Sequence, residues 1–311
     1  MGKIIKAVAA TAITAAAVPY VVYHEVIEKN GKMFKAINYV MDKQAAKNNT
    51  ETDPREAWWN EQKFEEYTIT GENGNQLKGY LLKAEKETDK FVFCSHGYRC
   101  FGKREIRYIA KFFHDSGLNI FFVDHCSSGE SEGKYIGFGY FEHLDCLKWL
   151  NFMLDKFGND IKIFLYGVSM GSATVMLMTG DSKLPDNVKF TVADCGYTSA
   201  TNEFYDVIKP LGKLRKPIID GANFYTKKIA GYDFNDTNAL EAVKKAKIPM
   251  LFIHGKDDWF VPTYMGGELY EACGSDYKDI LYVDGAQHAE SYFKNSADYE
   301  AKVTEFIEKY L

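Results

Sequence analysis

The chain has 311 residues, of which 46% are hydrophobic and 26% are charged, so it is long and apolar enough to fold around one large core. Its formal net charge of −5 and its lack of a long Lys/Arg block argue against a protein that binds nucleic acid along the phosphate backbone. Its six cysteines form neither a CxxC pair nor a cluster with histidine at metal-ligand spacing, which argues against a metal site.

The N-terminus carries an uncharged apolar run, AVAATAITAAAVPYVVY at residues 7–23, behind the basic residues Lys3 and Lys6. With Ile4 and Ile5 included, this run approaches the roughly 20 residues that a membrane-spanning helix needs. We therefore predict that residues 1–30 are a membrane anchor or a signal, that residues 4–23 attach the protein to a membrane, and that the protein is membrane-associated. The alternative is an alanine-rich helix of a soluble, cytoplasmic protein.

Residues 31–60 are polar and charged, and the stretch KMFKAINYVMDKQAAKN within them repeats its apolar residues with a helical period. We interpret this part as a polar helical arm between the N-terminal segment and the body. The body, residues 61–311, alternates strand and helix patterns. Its predicted strands are FEEYTIT, QLKGYLLKA, KFVFCSH, LNIFFVD, IKIFLYG, VKFTVADC, IPMLFIHG and DILYVDG.

The first two strands alternate in character across a short Gly/Asn loop, which predicts an antiparallel hairpin, whereas the other six are continuous apolar runs typical of strands covered on both faces. Helical patterns between them, such as KREIRYIAKFFHDSG and FEHLDCLKWLNFMLDKFG, predict an α/β fold: a mostly parallel, eight-stranded sheet with helices on both faces. Residues 199–238 break the alternation and are predicted to be a small helical lid over the strand ends.

Three loops at predicted strand ends carry the residue types of nucleophilic catalysis. GVSMG holds Ser169 on a strand-to-helix turn, where flanking glycines let the backbone approach closely and leave the hydroxyl exposed. GAQHAES supplies His288, and HGKDDWFVP supplies Asp257 or Asp258. A serine needs a base to take its proton, and an imidazole base needs an acceptor to hold its tautomer. The order serine, acid, histidine is that of one hydrolase architecture.

A fourth loop, in FVFCSHGYRC, follows an early strand and contains His96, Gly97 and Tyr98. We expect the backbone N–H of Tyr98, together with that of Met170 at the start of the next helix, to form a two-donor oxyanion hole. We expect His96 to support this loop rather than to transfer protons. Removing one oxyanion donor typically lowers the rate by roughly a hundred- to a thousandfold, so the placement of this loop matters.

Together, HGY, GVSMG, HGKDDWFVP and GAQHAES resemble the α/β-hydrolase fold family over about residues 64–311. Within it, the chain is similar to the bacterial esterases and serine-aminopeptidase-like hydrolases, a group that includes cinnamoyl esterases. The family's HGxxDxxVP pattern implies that the acid is Asp258 and that Asp257 is a loop residue. DHCSSGESEG stands where many relatives have a DxRGxGxS-like loop, and it departs from that pattern at Cys126 and Ser127.

The expected activity is that of a serine hydrolase, in which Ser169 attacks a carboxylic ester, His288 is the base and Asp258 the acid, with no metal and no cofactor. The expected partner is a small-molecule ester, with a small acyl or aryl (cinnamoyl-like) group, and Trp259 and Tyr197 are predicted to bind it. One alternative is a serine aminopeptidase that meets a substrate ammonium with Glu203 and Asp206. Another is a non-catalytic, membrane-tethered binding module.

Overall fold

The computed structural model describes residues 17–31 and 53–311 of the chain. Residues 53–311 contain eight strands that join in a single sheet. The strands are β1 (Glu65–Thr70), β2 (Gln76–Leu82), β3 (Lys90–Ser95), β4 (Asn119–Asp124), β5 (Lys162–Val168), β6 (Val188–Asp194), β7 (Met250–Gly255) and β8 (Lys278–Val283). Every strand that the sequence predicts is therefore present.

The sheet has the strand order β1-β2-β4-β3-β5-β6-β7-β8. β1 pairs antiparallel with β2, as the hairpin prediction requires, and β2 pairs antiparallel with β4, whereas all other neighbours are parallel. The predicted α/β class, with a mostly parallel sheet, is confirmed. β8 differs from the expected doubly covered strand, because it lies at the sheet edge and its residues before Val283 are partly buried or, at Tyr282, exposed.

Helices cover both faces of the sheet. They are α1 (Pro54–Asn60), α2 (Gly102–Ile106), α3 (Ala110–Asp115), α4 (Tyr140–Phe157), α5 (Met170–Thr179), α6 (Ala200–Val207), α7 (Arg215–Tyr225), α8 (Ala239–Val243), α9 (Thr263–Ala272), α10 (Ser291–Lys294) and α11 (Ser296–Tyr310). The single helix expected at residues 103–117 is divided into α2 and α3. Between them, the N–H of Ile109 bonds to the carbonyl of Ile106, three residues back, which tightens the turn.

Two apolar layers enclose the sheet. On one face, Phe164 and Phe190 stack with ring centroids 4.5 Å apart beneath α3 and α11. On the other face, Trp149 of α4 packs against Phe121 of β4 at 5.5 Å. All six residues of β4 are buried, as a continuous apolar run between two helical layers requires. These layers hold the parallel strands in register, so their carboxyl ends lie along one edge.

Residues 199–238 leave and rejoin the body at neighbouring points, because an isolated antiparallel bridge joins Ser199 to Asn238. Between them lie α6, a 3₁₀ helix at Lys209–Leu214, α7, a π-helical turn at Thr226–Ala230 and a 3₁₀ helix at Phe234–Thr237. Phe204 of this segment packs edge-on against Phe138 at 4.8 Å, and Phe138 belongs to the loop that precedes α4. The segment is thus a closed helical insertion that packs on the strand-to-helix loops.

The N-terminal segment, which we define as residues 17–31, is helical from residue 17 to 26. Tyr23 and Ile27 of this segment are fully buried against the body. Most of the predicted anchor and most of the predicted arm fall on residues 1–16 and 32–52, which lie outside the described residues. Within residues 17–31 and 53–311, no helix is long and apolar enough to cross a membrane. Membrane attachment stays a prediction.

Candidate active site

Four loops meet at the carboxyl edge of the sheet. Ser169 follows β5, Asp258 follows β7 and His288 follows β8, while the loop that contains Gly97 follows β3. Parallel strands end side by side, so residues far apart in the sequence come together at this edge. The parallel pairing of β3 with β5, β5 with β6, β6 with β7 and β7 with β8 provides that alignment.

The turn at Ser169 is strained, with φ of 57° and ψ of −117° in a residue that is not glycine. Its neighbours explain the two glycines of GVSMG. A Cβ atom on Gly167 would lie 2.2 Å from the carbonyl oxygen of Gly171, and one on Gly171 would lie 2.0 Å from that of Ser95. The Ser169 N–H donates to the carbonyl of Asp194 at 2.9 Å. Close backbone contacts therefore hold the serine in this conformation.

Ser169, His288 and Asp258 form a continuous hydrogen-bonded chain. The Ser169 hydroxyl lies 2.9 Å from Nε2 of His288, and Nδ1 of His288 lies 2.8 Å from Oδ2 of Asp258. An ionised carboxylate only accepts, so His288 donates from Nδ1 and its Nε2 is free to accept the serine proton. This is the arrangement in which an imidazole acts as a base towards a hydroxyl.

Asp258 is buried but remains ionised. Its Oδ1 accepts the backbone N–H groups of Phe260 and Val261, at 3.0 and 2.9 Å. Burial alone would raise the pKa of Asp258, but hydrogen bonds and positive charge from His254 and His288 outweigh burial and lower this pKa to about 2. His254 lies behind the carboxylate, with Nε2 at 3.5 Å from Oδ2. The acceptor for His288 is therefore charged at neutral pH.

Asp257, the residue before Asp258, does not face His288. Asp257 is exposed, and its backbone N–H donates to the carbonyl of Ala286 at 3.0 Å. Of the two acidic candidates in HGKDDWFVP, the fold thus brings Asp258 to His288. The reason is the turn after β7, in which the Asp258 carboxylate binds two backbone N–H groups of its own loop and so points inward.

The HGYR loop, residues 96–99, passes beside the serine. A Cβ atom on Gly97 would lie only 3.5 Å from the Cβ of Ser169, so the loop backbone is in contact range of the Ser169 turn. His96 supports the loop: its Nδ1 donates to the carbonyl of Gly97 at 2.7 Å, and its Nε2 accepts the N–H of His125 at 3.0 Å. Burial lowers the pKa of His96, which favours the neutral ring that this pattern needs.

The second predicted donor, Met170, is the first residue of α5, and the first N–H groups of a helix have no intrahelical acceptor.

The two residues predicted to bind substrate have different environments. Trp259 is 69% exposed beside Asp258, whereas Tyr197 is buried and its hydroxyl donates to the carbonyl of Phe138 at 3.0 Å. Phe260 also belongs to this group, because its ring centroid lies 5.0 Å from that of His288.

Three side chains with ligand atoms that metals use come together among the described residues. Sγ of Cys195, a carboxylate oxygen of Asp258 and a ring nitrogen of His288 lie within 4.8 Å of one another. However, Asp258 and His288 already bond to each other, and burial raises the pKa of the Cys195 thiol, which disfavours the thiolate that a metal binds. The group is better suited to its hydrogen-bonded arrangement than to a metal ion.

Glu203, in the first turn of α6, is a buried carboxyl group behind the site. It is 4% exposed, and neither of its carboxyl oxygens has a hydrogen-bond partner in residues 17–31 and 53–311. Burial raises the pKa of Glu203 to about 9, with further contributions from the negative charges of Asp258 and Asp206. Glu203 is therefore protonated at neutral pH, in contrast to Asp258.

This raised pKa predicts a pH-dependent stability. Between the ordinary glutamate pKa and about 9, folded Glu203 holds a proton that the unfolded chain releases, so the free energy of unfolding falls as pH rises. Glu203→Gln removes this contribution. We expect the variant to lose less stability than the parent between pH 5 and 9 in urea titrations, with Asp206→Asn as the control. Identical slopes for parent and variant would contradict the assignment.

A second prediction concerns the contact between Gly171 and Ser95. Gly171→Ala places a methyl group against a carbonyl oxygen, so α5 must shift away from β3, at a cost of about 1–3 kcal/mol in unfolding free energy. We also expect slower labelling of Ser169 by a fluorophosphonate. Gly267→Ala, in α9, is the matched control, because its new methyl group would meet only the hydroxyl of Tyr282, at 3.1 Å. Equal effects of the two substitutions would exclude this explanation.

The chain is similar to several known proteins. The family model described as Serine hydrolase (FSH1) matches residues 145–289, which include Ser169, Asp258 and His288. The chain is 28% identical over 243 residues to the uncharacterized protein YqkD of Bacillus subtilis (strain 168), covering 78% of each chain.

Among solved structures, the Pyrococcus furiosus esterase Pf2001 aligns with a TM-score of 0.66 at 20% identity, covering 84% of this chain and 95% of that chain. The mouse alpha/beta hydrolase domain-containing protein 10 aligns with a TM-score of 0.60 at 15% identity, covering 79% and 99%. The strand order and these solved structures show that the chain has the α/β-hydrolase fold, and the match over residues 145–289 shows that this part of it is similar to the serine hydrolases.

Proposed function

We propose that this chain hydrolyses carboxylic esters through an acyl-enzyme on Ser169. The observation that carries the proposal is the hydrogen-bonded chain from the Ser169 hydroxyl through His288 to Asp258, at 2.9 and 2.8 Å. The name of the P. furiosus neighbour, an esterase, supports an ester rather than another acyl compound. In this proposal Ser169 is the nucleophile, His288 the base and Asp258 the acid.

The reaction has two matched halves. Ser169 attacks the acyl carbonyl while His288 takes its proton, and the carboxylate of Asp258 holds and stabilises the resulting imidazolium. His288 then gives that proton to the departing alcohol, which leaves an acyl ester on Ser169. Water, deprotonated by His288, attacks this ester, and Ser169 recovers its proton as the carboxylic acid departs. Each half passes through a tetrahedral intermediate with a negatively charged oxygen.

We further propose that the backbone N–H groups of Tyr98 and Met170 bind this oxyanion. The contact range between Gly97 and the Ser169 turn, and the position of Met170 at a helix start, support this role. Small acyl or aryl esters of the cinnamoyl type suit the aromatic rings near the site. Trp259 is exposed beside the acid, Phe260 lies against His288, and Tyr197 packs in the wall behind them.

In our proposal, residues 61–311 form the catalytic domain, residues 199–238 act as its lid and residues 31–60 are the arm. The bridge between Ser199 and Asn238 supports a lid that closes on its own base. The exposed apolar side chains of Leu211, Leu214 and Phe224 lie on this segment and are available to a substrate or to a membrane surface. Membrane attachment through the apolar run at residues 4–23 belongs to the same proposal.

The test is to label the full-length chain with a fluorophosphonate and to measure hydrolysis of p-nitrophenyl and cinnamoyl esters. We expect Ser169→Ala and His288→Ala to abolish labelling, and Asp258→Asn to lower kcat by about 10⁴-fold, because the imidazole loses its correct tautomer. Asp257→Asn is the matched control and should retain labelling and turnover. Equal losses from the two aspartate variants, or labelling of Ser169→Ala, would refute the assignment.

One observation favours a second candidate function, the hydrolysis of amides at a free N-terminus. Asp206 is already bonded to the hydroxyl of Tyr264, whereas the carboxyl oxygens of Glu203 lack partners among the described residues. An unsatisfied buried polar group costs about 1–3 kcal/mol. A substrate ammonium that reached Glu203 would donate hydrogen bonds to its carboxyl oxygens and favour the ionised carboxylate. Of the two acidic residues expected to meet an amine, Glu203 is therefore the better candidate.

Paired substrates distinguish the two functions. If Glu203 binds an ammonium, an aminoacyl p-nitroanilide with a free amine should react faster than its N-acetyl analogue, and Glu203→Gln should remove that preference. If the chain is an esterase only, Glu203→Gln should change the two kcat/KM values equally. Measuring kcat/KM for both substrates on parent and variant decides between these functions, and Asp206→Asn shows whether any effect belongs to the lid as a whole.

A further inference from the structure

The N-terminal segment is firmly attached to the catalytic domain. Tyr23 and Ile27 have no exposed surface, and removing their apolar side chains from water favours the contact. The backbone joins as well. The N–H of Lys29 donates to the carbonyl of Lys134, and the N–H of Ile136 donates to the carbonyl of Ile27, both at 2.8 Å. The segment is thus paired with the loop before α4.

The HGYR loop makes the polar part of this contact. The guanidinium of Arg99 donates to the backbone carbonyls of four residues of the segment: Glu25 and Glu28 at 2.8 Å, Lys29 at 3.0 Å and Gly31 at 3.4 Å. These carbonyls lie at and beyond the end of a helix, where they lack intrahelical donors and where positive charge is favoured. Arg99 therefore caps the N-terminal helix from outside.

Tyr98 binds the same segment. Its hydroxyl donates to the carbonyl of Val26 at 2.7 Å and accepts a hydrogen bond from Nε of Arg99 at 2.8 Å. Both side chains of the loop's second half thus reach the N-terminal segment. Their backbone runs beside Ser169, because Gly97 next to Tyr98 is within contact range of the serine.

The backbone of Arg99 requires such support. Its φ of 53° lies in the left-handed region, which is unfavourable for a residue other than glycine and persists only where surrounding contacts impose it. The hydrogen bonds to residues 25–31 are contacts of that kind. Without them, the loop is free to relax towards an ordinary conformation, and the Tyr98 N–H would move away from the position that the proposed oxyanion needs.

We propose that the N-terminal segment is part of the active site: it sets the oxyanion hole by holding the HGYR loop, with Arg99 as the positioning residue. This inference rests on the proposed function, since it concerns the hole in which Tyr98 binds the oxyanion. Arg99 does not touch the reacting atoms in this account. It acts through the backbone of Tyr98.

The opposite side of the segment touches the proposed lid. A Cβ atom on Gly221 of α7 would lie 2.6 Å from the Cβ of Pro19, and the ring of Tyr20 packs edge-on against Tyr225 at 5.2 Å. The segment therefore bridges α7 and the HGYR loop.

Steady-state kinetics of the full-length chain test this inference. Arg99→Met keeps the aliphatic stem but removes every donor. We expect kcat for an ester to fall by roughly 10- to 100-fold, because a displacement of about 1 Å at a catalytic donor has this effect, while KM stays nearly constant. Arg99→Lys, which keeps a charged donor, should recover part of kcat. Ile27→Asn, which loosens the segment from its apolar side, should reproduce the fall.

Arg107→Met is the matched control. Arg107 forms an ion pair with Glu56 at 3.3 Å and so ties α1, rather than the N-terminal segment, to the body. We expect this variant to lower the melting temperature without changing kcat. A purely structural role of Arg99 predicts the same result for Arg99→Met, a lower melting temperature with kcat at the parent value, and that result would overturn the inference.

If Arg99→Met does not fold, Tyr98→Phe provides the measurement. It keeps the backbone N–H and loses the two hydrogen bonds of the hydroxyl, to Val26 and from Arg99, so kcat should fall severalfold with KM unchanged. An unchanged kcat would overturn the inference. The parent and Ser169→Ala separate this result from the proposed function. A folded parent that neither labels nor hydrolyses any ester overturns both proposals, whereas an active parent with fully active loop variants overturns this one alone.

Discussion

The close approach of two backbones, at Gly171 and Ser95, is the constraint on which the site depends. The start of α5 lies so near the end of β3 that a Cβ atom on Gly171 would be 2.0 Å from the Ser95 carbonyl oxygen. This contact fixes the serine turn relative to the HGYR loop, and with it the separation between Ser169 and the loop that we propose binds the oxyanion. The backbone of Gly171 is ordinary helix, so its conformation does not require glycine. Glycine is required here because any side chain would collide with Ser95.

Three buried carboxyl groups near the serine have different pKa values because their surroundings differ. Asp258 has two backbone donors and two imidazoles around it, and its pKa is lowered to about 2. Asp194 accepts from Tyr299 at 3.0 Å, and burial raises its pKa to about 6. Glu203 has no partner among the described residues and a pKa of about 9. At neutral pH Asp258 is therefore fully ionised and bonded to His288, Asp194 is mostly ionised, and Glu203 is protonated.

The sheet and the order of serine, acid and histidine could be predicted because both depend on short, contiguous stretches of sequence. Continuous apolar runs such as that of β4 define strands, and the turns that follow them carry Ser169 and His288. The choice between Asp257 and Asp258 required the family pattern, because the two carboxyls differ only in how the turn after β7 directs them. The break between α2 and α3 depends on one tightened turn, which no residue type in the sequence marks.

Contacts between residues far apart in the sequence could not be predicted. Arg99 looks like one more basic loop residue, yet its guanidinium donates to carbonyls near residues 25 and 31. Similarly, the apolar residues at 17–27 fit a membrane helix as well as a packed one, because the pattern records which residues avoid water and not what covers them. Tyr23 and Ile27 are buried in one apolar cluster with residues of the body, such as Ile136 and Phe141. No helical or strand period carries that information.

Backbone strain marks the same edge of the sheet. Six described residues other than glycine have positive φ, and all lie in loops that follow parallel strands: Arg99, Ser127, Phe138, Ser169, Cys195 and Ala289. Each costs about 1–3 kcal/mol, so the edge is locally unstable and persists because the layers beneath it and the segments above it impose its shape. The N-terminal segment is one of those constraints, since it reaches Arg99 directly and pairs with the loop before Phe138. We therefore expect an edge held this way to lose its geometry before the sheet unfolds, so that contacts at residues 17–31 affect the proposed catalysis more than they affect stability.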